Sequence, residues 1–350
     1  MSLIGIGISW RETSLGVLAH YGRRVDRVRR VIDDELFGLV RGRIVLSTCN
    51  RFEVVADVEP DRIVEGAERL RDVLERDFES PIEQGCFVIR FGLDAVHHLF
   101  RVTSGLESIL VGETEITGQV RTAAKVARSE RRTTSLIERV VDRAVATSRH
   151  VRPAAFLDGR SLLGLGVDIA SELLDGFSGR SALVIGSGSY ARSAVVMLSC
   201  RGVEKIHVHS PSGRQSVWRL DEKFNSSLAV VGDAELGDCL SNVDLALGCS
   251  GQTDPVVGAS RSHFLEGRRV VVIDLSLSPD FDSRIAEHPG VSYVGLDEVF
   301  GRAQSLSVED GQSAAWCVAT RAHEFVTRYG LASNNSVNRP EAMLKADVGR

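Results

Sequence analysis

The chain has 350 residues, of which 43% are hydrophobic and 25% charged, and a net charge of −5. That length exceeds one ordinary domain, and the balance is that of a globular protein with sizeable cores, not a disordered or membrane-spanning one. Six scattered cysteines (Cys49, Cys86, Cys200, Cys239, Cys249, Cys317) form no C-x-x-C pair, and the nine histidines no H-E-x-x-H. This spacing argues against a zinc site or a disulfide scaffold and suits a reducing, cytoplasmic location. The N-terminus shows neither a signal peptide's basic region nor its cleavage pattern.

In chain order, "LIGIGIS" predicts a first strand, and "RIVLST" and "FEVVADV" predict two more. Between these two lies "LSTCNRFE", which sets Cys49 at a tip two residues before Arg51. A packing cysteine belongs inside an element, whereas one on a polar tip beside a cation has surroundings that favour thiolate. Position alone leaves both a nucleophile and a turn or packing cysteine open. "RIVEGAERLRDVLERDF" has apolar residues at helical spacing, a second helix covers "DAVHHLFRVTSGL", and the pattern from Glu115 to Arg149 is helical almost throughout. Residues 1–155 therefore read as an α+β domain. Between Arg121 and Arg152, nine Lys/Arg face three acids, a local charge of +6, and "HYGRRVDRVRR" adds five arginines to one aspartate. Such stretches are either solvated helix faces or a polyanion footprint.

From residue 156 to 300 the character changes to short apolar strands alternating with helices: "SALVIG", "KIHVHS", "SLAVV", "VDLALGCS", "RRVVVIDLS" and "VSYVGL". This is the pattern of a doubly wound Rossmann-type sheet. "ALVIGSGSYARSA" sets Gly186, Gly188 and Ala191 as G-x-G-x-x-A between a strand and a helix, where glycines admit a tight turn and a dinucleotide's pyrophosphate. An NAD site wants an acid at the end of the next strand. Here Ser210, Pro211, Ser212, Gly213 and Arg214 follow instead, a set suited to the 2′-phosphate of NADP. Residues 301–350 hold one further helix, "SAAWCVATRAHEFVTRYG", and a polar tail expected to be disordered. Its apolar stripe of Ala315, Val318, Ala319, Ala322 and Val326, with Trp316 and Phe325 beside it, is expected to pack against the chain's own domains.

Together these stretches resemble the glutamyl-tRNA reductase family. "LSTCNRFE" is similar to its S-T-C-N-R-x-E signature, and "HLFRVTSGLESILVGETEITGQV" to G-L-D-S-x-V-x-G-E-x-Q-I-x-G-Q-V. The similarity continues in order through "GSGSYAR" and "VVVIDLSLSPDFD". It implies an α/β multidomain enzyme: a catalytic α+β domain, a Rossmann-type NADPH domain and a short C-terminal helix. The implied reaction is NADPH-dependent reduction of glutamyl-tRNA to glutamate-1-semialdehyde through a thioester on Cys49, opening five-carbon tetrapyrrole biosynthesis.

By the same resemblance Arg51 would bind the substrate carboxylate and also lower the thiol pKa. Thr48 and Asn50 complete the loop, His98 is the activity-critical histidine, and His97 a solvated neighbour. Ser108, Glu113 and Gln119 fall on substrate-contact positions. The cofactor turn comprises Gly186, Ser187, Gly188, Ser189, Tyr190 and Ala191. Two departures stand out: Thr114-Glu115 replaces the usual Pro-Gln, and Ser210-Pro211-Ser212 the usual Asn-Arg-Thr, leaving phosphate recognition to the serines or Arg214. A third is that the family's helical dimerisation domain is mostly missing, which suggests a monomer or weak homodimer. The family also raises glutamate-1-semialdehyde aminomutase as a partner. Two rival readings are a non-catalytic paralogue that binds aminoacyl-tRNA or a partner enzyme, and a dehydrogenase of a small free substrate. The second leaves the basic helices and the cysteine tip unexplained.

Overall fold

The computed structural model describes residues 2–76, 86–113, 115–155, 161–211, 213, 228–252, 254–305 and 312–329. The chain divides into two compact units, Met1–Arg160 with Leu306–Arg350, and Ser161–Ser305.

The first unit runs β1 (Leu3–Ser9), α1 (Leu15–Arg23), α2 (Val25–Glu35), β2 (Val40–Thr48), β3 (Arg51–Val58), α3 (Ile63–Arg76), β4 (Val88–Phe91), α4 (Gly92–Thr103), α5 (Glu115–Ser129) and α6 (Ser135–Ala155). Its sheet has the order β2-β3-β1-β4 and is antiparallel throughout. Every residue of β1 and β3 is buried, because helices cover both faces. On one face Tyr21 of α1 stacks against Phe52 and Phe87 at 5.0 and 5.6 Å. On the other, Leu3, Ile44, Leu46 and Val55 join the apolar sides of α4, α5 and α6 in one core. Arg43 is 1% exposed yet fully engaged, with Nη2 2.6 Å from Asp33 and Nη1 2.8 Å from Glu130, so it ties β2 to α2 and to the end of α5.

The second unit contains α7 (Leu162–Leu174), β5 (Ser181–Ile185), α8 (Ser189–Cys200), β6 (Lys205–His209), β7 (Leu228–Val231), α9 (Leu236–Leu240), β8 (Leu245–Gly248), α10 (Ala259–Ser262), β9 (Val270–Asp274), β10 (Val291–Gly295) and α11 (Leu296–Ser305). The six strands are parallel in the order β10-β9-β8-β5-β6-β7. Counted from β5, this is the doubly wound order 3-2-1-4-5-6, whose direction reverses between β5 and β8. Ligands of such sheets sit outside the carboxyl ends of the strands at that reversal, so the turn after β5 is where a dinucleotide belongs.

The last helix, α12 (Gln312–Arg328), belongs to the first unit and packs on α4 and α6. Ala314, Val318, Ala322, Phe325 and Val326 are buried there, with the Phe325 ring 6.1 Å from Phe100. The stripe is therefore led by Ala314; Ala315 is half-buried, and Trp316 is 54% exposed. Among the described residues no helix is long and apolar enough to cross a membrane.

Candidate active site

The β2–β3 register pairs Thr48 with Arg51, which leaves Cys49 and Asn50 as a two-residue tip. Neither has a positive φ, so the tip is not one of the primed hairpin turns that glycine and asparagine usually serve. Side chains hold it instead. Thr48 Oγ1 donates to Asn50 Oδ1 at 3.0 Å and accepts from Asn50 N–H at 3.3 Å. The Asn50 carbonyl accepts from Trp10 N–H at 2.9 Å, anchoring the tip to the end of β1. Thr48 and Asn50 are buried by this arrangement, while Cys49 stays half-buried and reachable.

Arg51 points away from the solvent that its sequence position suggests. It is 1% exposed; Nη1 donates to Glu53 Oε1 at 2.9 Å and Nη2 to the Glu107 carbonyl, while Nε–H is buried without a protein acceptor. The same Glu53 oxygen lies 2.9 Å from His98 Nε2 on α4. Glu53 fits because its strand partner is Gly7: a Cβ there would come within 2.5 Å of Glu53 Cγ and 2.7 Å of the Phe52 carbonyl oxygen. Glu107 pairs with Arg11 and Arg101. Glu53 and Glu107 were not singled out in the sequence; a buried acid closing the S-T-C-N-R-x-E signature was the available signal for the first.

Helix α4 was expected to run through Leu106, but it stops at Thr103. Gly105, at φ +78°, turns the chain into a folded loop, and a Cβ on it would sit 2.7 Å from the Glu113 carbonyl oxygen. That loop buries Ser108 and Glu113, at 1% and 5% exposure, and α5 carries Glu115 and Gln119, both half-buried. Thr114 lies outside the described residues. His97, expected to be solvated, is half-buried.

The electrostatics correct one expectation. Burial pushes the Cys49 thiol far above its ordinary value, Glu113 and Glu115 push the same way, and the tip's backbone hydrogen bond and Arg51 oppose them without prevailing. Burial thus outweighs the pull of Arg51, whose guanidinium also pairs with Glu53, and favours the protonated thiol. Burial likewise raises Glu113, against the Ser108 hydroxyl and Arg51. Burial acts to raise Glu53 too, but His98 and Arg51 hold it well below the usual carboxylate range. Glu107 is buried as well, yet Arg101, Arg11 and His98 hold it down at about 2.

In the second unit Gly186 takes φ +139°, and a Cβ there would lie 2.9 Å from the Cys249 carbonyl oxygen, so this position needs glycine. Its N–H donates to the His209 carbonyl at 2.8 Å. Gly188, the cap of α8, would place a Cβ in open space, leaving bare backbone at a helix N-terminus where a pyrophosphate fits. Ala191 is fully buried, and Ser187 and Tyr190 are half-buried; of Ser189 the backbone opens α8. Ser210 is buried, at 3% exposure, and Ser212 and Arg214 lie outside the described residues. Among the described residues no group of acids, histidines and cysteines could hold a metal.

The basic stretch is partly self-neutralised. Arg128 pairs with Glu138 at 3.0 Å, Arg132 with Asp33 at 3.2 Å and Arg143 with Glu324 at 3.5 Å. Arg121 and Lys125 stand exposed on α5.

Residues 6–155 match the family model of the glutamyl-tRNAGlu reductase N-terminal domain, and residues 168–301 match that of shikimate/quinate 5-dehydrogenase. The dehydrogenase match and the glycine turn indicate a nicotinamide cofactor in the second unit. A glutamyl-tRNA reductase of Cutibacterium acnes is 30% identical over 322 residues, 90% of this chain and 70% of that protein. One from Tropheryma whipplei is 32% identical over 332 residues, 84% of this chain and 72% of its own. The solved glutamyl-tRNA reductase of Methanopyrus kandleri aligns with a TM-score of 0.48 at 24% identity, over 94% of this chain and 80% of that one. By these sequence relatives and its N-terminal domain, the chain belongs to the glutamyl-tRNA reductase family of oxidoreductases.

Proposed function

We propose that this protein reduces glutamyl-tRNA to glutamate-1-semialdehyde with NADPH, through a thioester on Cys49, as the first step of five-carbon tetrapyrrole synthesis. The observation that carries the reading is the hairpin tip: Cys49 is half-buried in a turn whose neighbours Thr48 and Asn50 are buried and hydrogen-bonded to each other. Cys49 Sγ attacks the ester carbonyl; a C–S bond forms, the C–O bond to the tRNA ribose breaks, and the leaving hydroxyl takes up the proton the thiol gives. A thioester accepts hydride more readily than an ester, so covalent catalysis divides one hard step into two. NADPH supplies the hydride when bound; the thioester carbonyl becomes the aldehyde, and Cys49 leaves as thiolate and regains a proton.

Thr48, Asn50, Arg51, Ser108, Glu113, Glu115 and Gln119 are assigned to the glutamyl group, with the buried Arg51 Nε–H as the donor still lacking an acceptor. His98 is assigned to proton exchange. The preference for NADPH over NADH rests on the absence of an acid from Ser210 to Arg214. Within this reading the aldehyde passes to glutamate-1-semialdehyde aminomutase, and the protein works in the cytoplasm as a monomer or weak homodimer, which sedimentation velocity would check. The deciding experiment combines purified protein, charged glutamyl-tRNA and either NADPH or NADH. Semialdehyde formed with NADPH supports the proposal, and no aldehyde with either nucleotide refutes it.

A further inference from the structure

The Glu53 carboxylate is set in a place where few strands hold an acid. It lies at 6% exposure on the fully buried strand β3, opposite a glycine that leaves it room. One of its oxygens, Oε1, is shared by two neighbours at 2.9 Å, Arg51 Nη1 and His98 Nε2. A guanidinium is only a donor, and an ionised carboxylate is only an acceptor. Arg51 and His98 hold Glu53 in the ionised form. His98 Nε2 must therefore carry a hydrogen, in the neutral ring and in the imidazolium alike. The nitrogen that gains and loses the proton is then Nδ1.

We propose that Glu53 is a positioning residue: through one oxygen it fixes His98 with Nε2–H bound and Nδ1 as the proton-exchanging atom, and holds Arg51 in register with it. The assignment rests on the reductase reading for its consequence in turnover, but not for its geometry. It also gives the buried acid a task beyond structure. A carboxylate hydrogen-bonded to one histidine nitrogen selects the tautomer and ring orientation, leaving the other nitrogen to exchange the proton.

The test reads the tautomer directly. In full-length protein labelled with ¹⁵N-histidine, with the His98 signal identified by its loss in His98→Asn, neutral His98 is expected in the Nε2–H form. Glu53→Gln, which keeps the volume and removes the charge, should yield mixed tautomers and lower kcat by at least about tenfold. Glu53→Asp should recover part of both. Neutral His98 found as Nδ1–H in the unmutated protein overturns the proposal whatever the variants do. So does a Glu53→Gln protein with unchanged tautomer and unchanged kcat. Nε2–H His98 in a protein that cannot reduce glutamyl-tRNA would refute the reductase reading and leave the positioning role standing.

Discussion

Replacing Gly7 by alanine adds one methyl group at a place where the geometry leaves no room. Its Cβ would stand 2.5 Å from Glu53 Cγ, 2.7 Å from the Phe52 carbonyl oxygen and 2.9 Å from Glu53 Cα. Two of these three atoms are backbone, and β1 is pinned between β3 and β4 in the middle of its sheet, so neither strand can step aside cheaply. Overpacking of this kind costs about 1–3 kcal/mol. Gly5 on the same strand is the internal control. Its added Cβ would meet only Ala95 Cβ at 3.7 Å, an ordinary contact, and a strand alanine is worth about 0.5–1 kcal/mol over glycine. At roughly 2–4 °C per kcal/mol for a unit of this size, Gly7→Ala should melt about 2–12 °C below wild type, and Gly5→Ala at or slightly above it. Thermal unfolding followed by circular dichroism gives both values. Gly7→Ala should also lose reductase turnover, since the methyl displaces Glu53 from His98. Equal melting points for the two variants would refute the steric argument.

The raised Cys49 thiol should alkylate with iodoacetamide at least about tenfold more slowly at pH 7.5 than exposed Cys200, and gain rate as pH rises. Peptide mass spectrometry resolves the two, and Cys49 reacting first would contradict the reasoning. Asp274 is pushed up to about 7 by burial and by Asp280, against backbone donors from Phe281, Ser276 and Asp280. Its native pKa lies above its unfolded value, so wild-type stability relative to Asp274→Asn should fall as pH rises from 4 to 8, by up to about 4 kcal/mol. Urea titrations that find a flat difference would remove that buried charge from the account. For RNA, Arg121→Ala with Lys125→Ala should lower the slope of log affinity against log salt by about 1–2. Arg132, already paired with Asp33, should change stability and leave that slope alone; filter binding across salt would show the reverse if the wrong helix face carries the contacts.

The Rossmann strands are legible because they run as short continuous apolar segments, buried in the central β5, β8 and β9 and half-buried at the β7 and β10 edges, and all six fall where the sequence sets them. Helix α7 was missed for the opposite reason. "LLGLGVDIASELL" has no wide polar face, two glycines, and a left-handed Asp175 in place of a glycine stop. The edge strand β4 has only four half-exposed or exposed residues, too few to show a period. The tip cysteine was visible, but its electrostatics were not. Arg51 is two residues away in sequence, yet its charge goes to Glu53 and to the Glu107 carbonyl, a contact 56 positions distant. Glu53 closes the signature, but its surroundings were not legible: Gly7 on β1 gives it room and His98 on α4 pairs with it, and no local pattern brings those together.

On the proposed mechanism the glutamyl group is carried by Cys49. Mixing the protein with charged glutamyl-tRNA in the absence of reduced nucleotide should let the thioester accumulate, and intact-mass and peptide spectra should place one glutamyl group on Cys49. Hydroxylamine should release it, NADPH should discharge it as aldehyde, and Cys49→Ala should carry none. A glutamyl group on another cysteine, or full reductase activity in Cys49→Ala, would contradict the account.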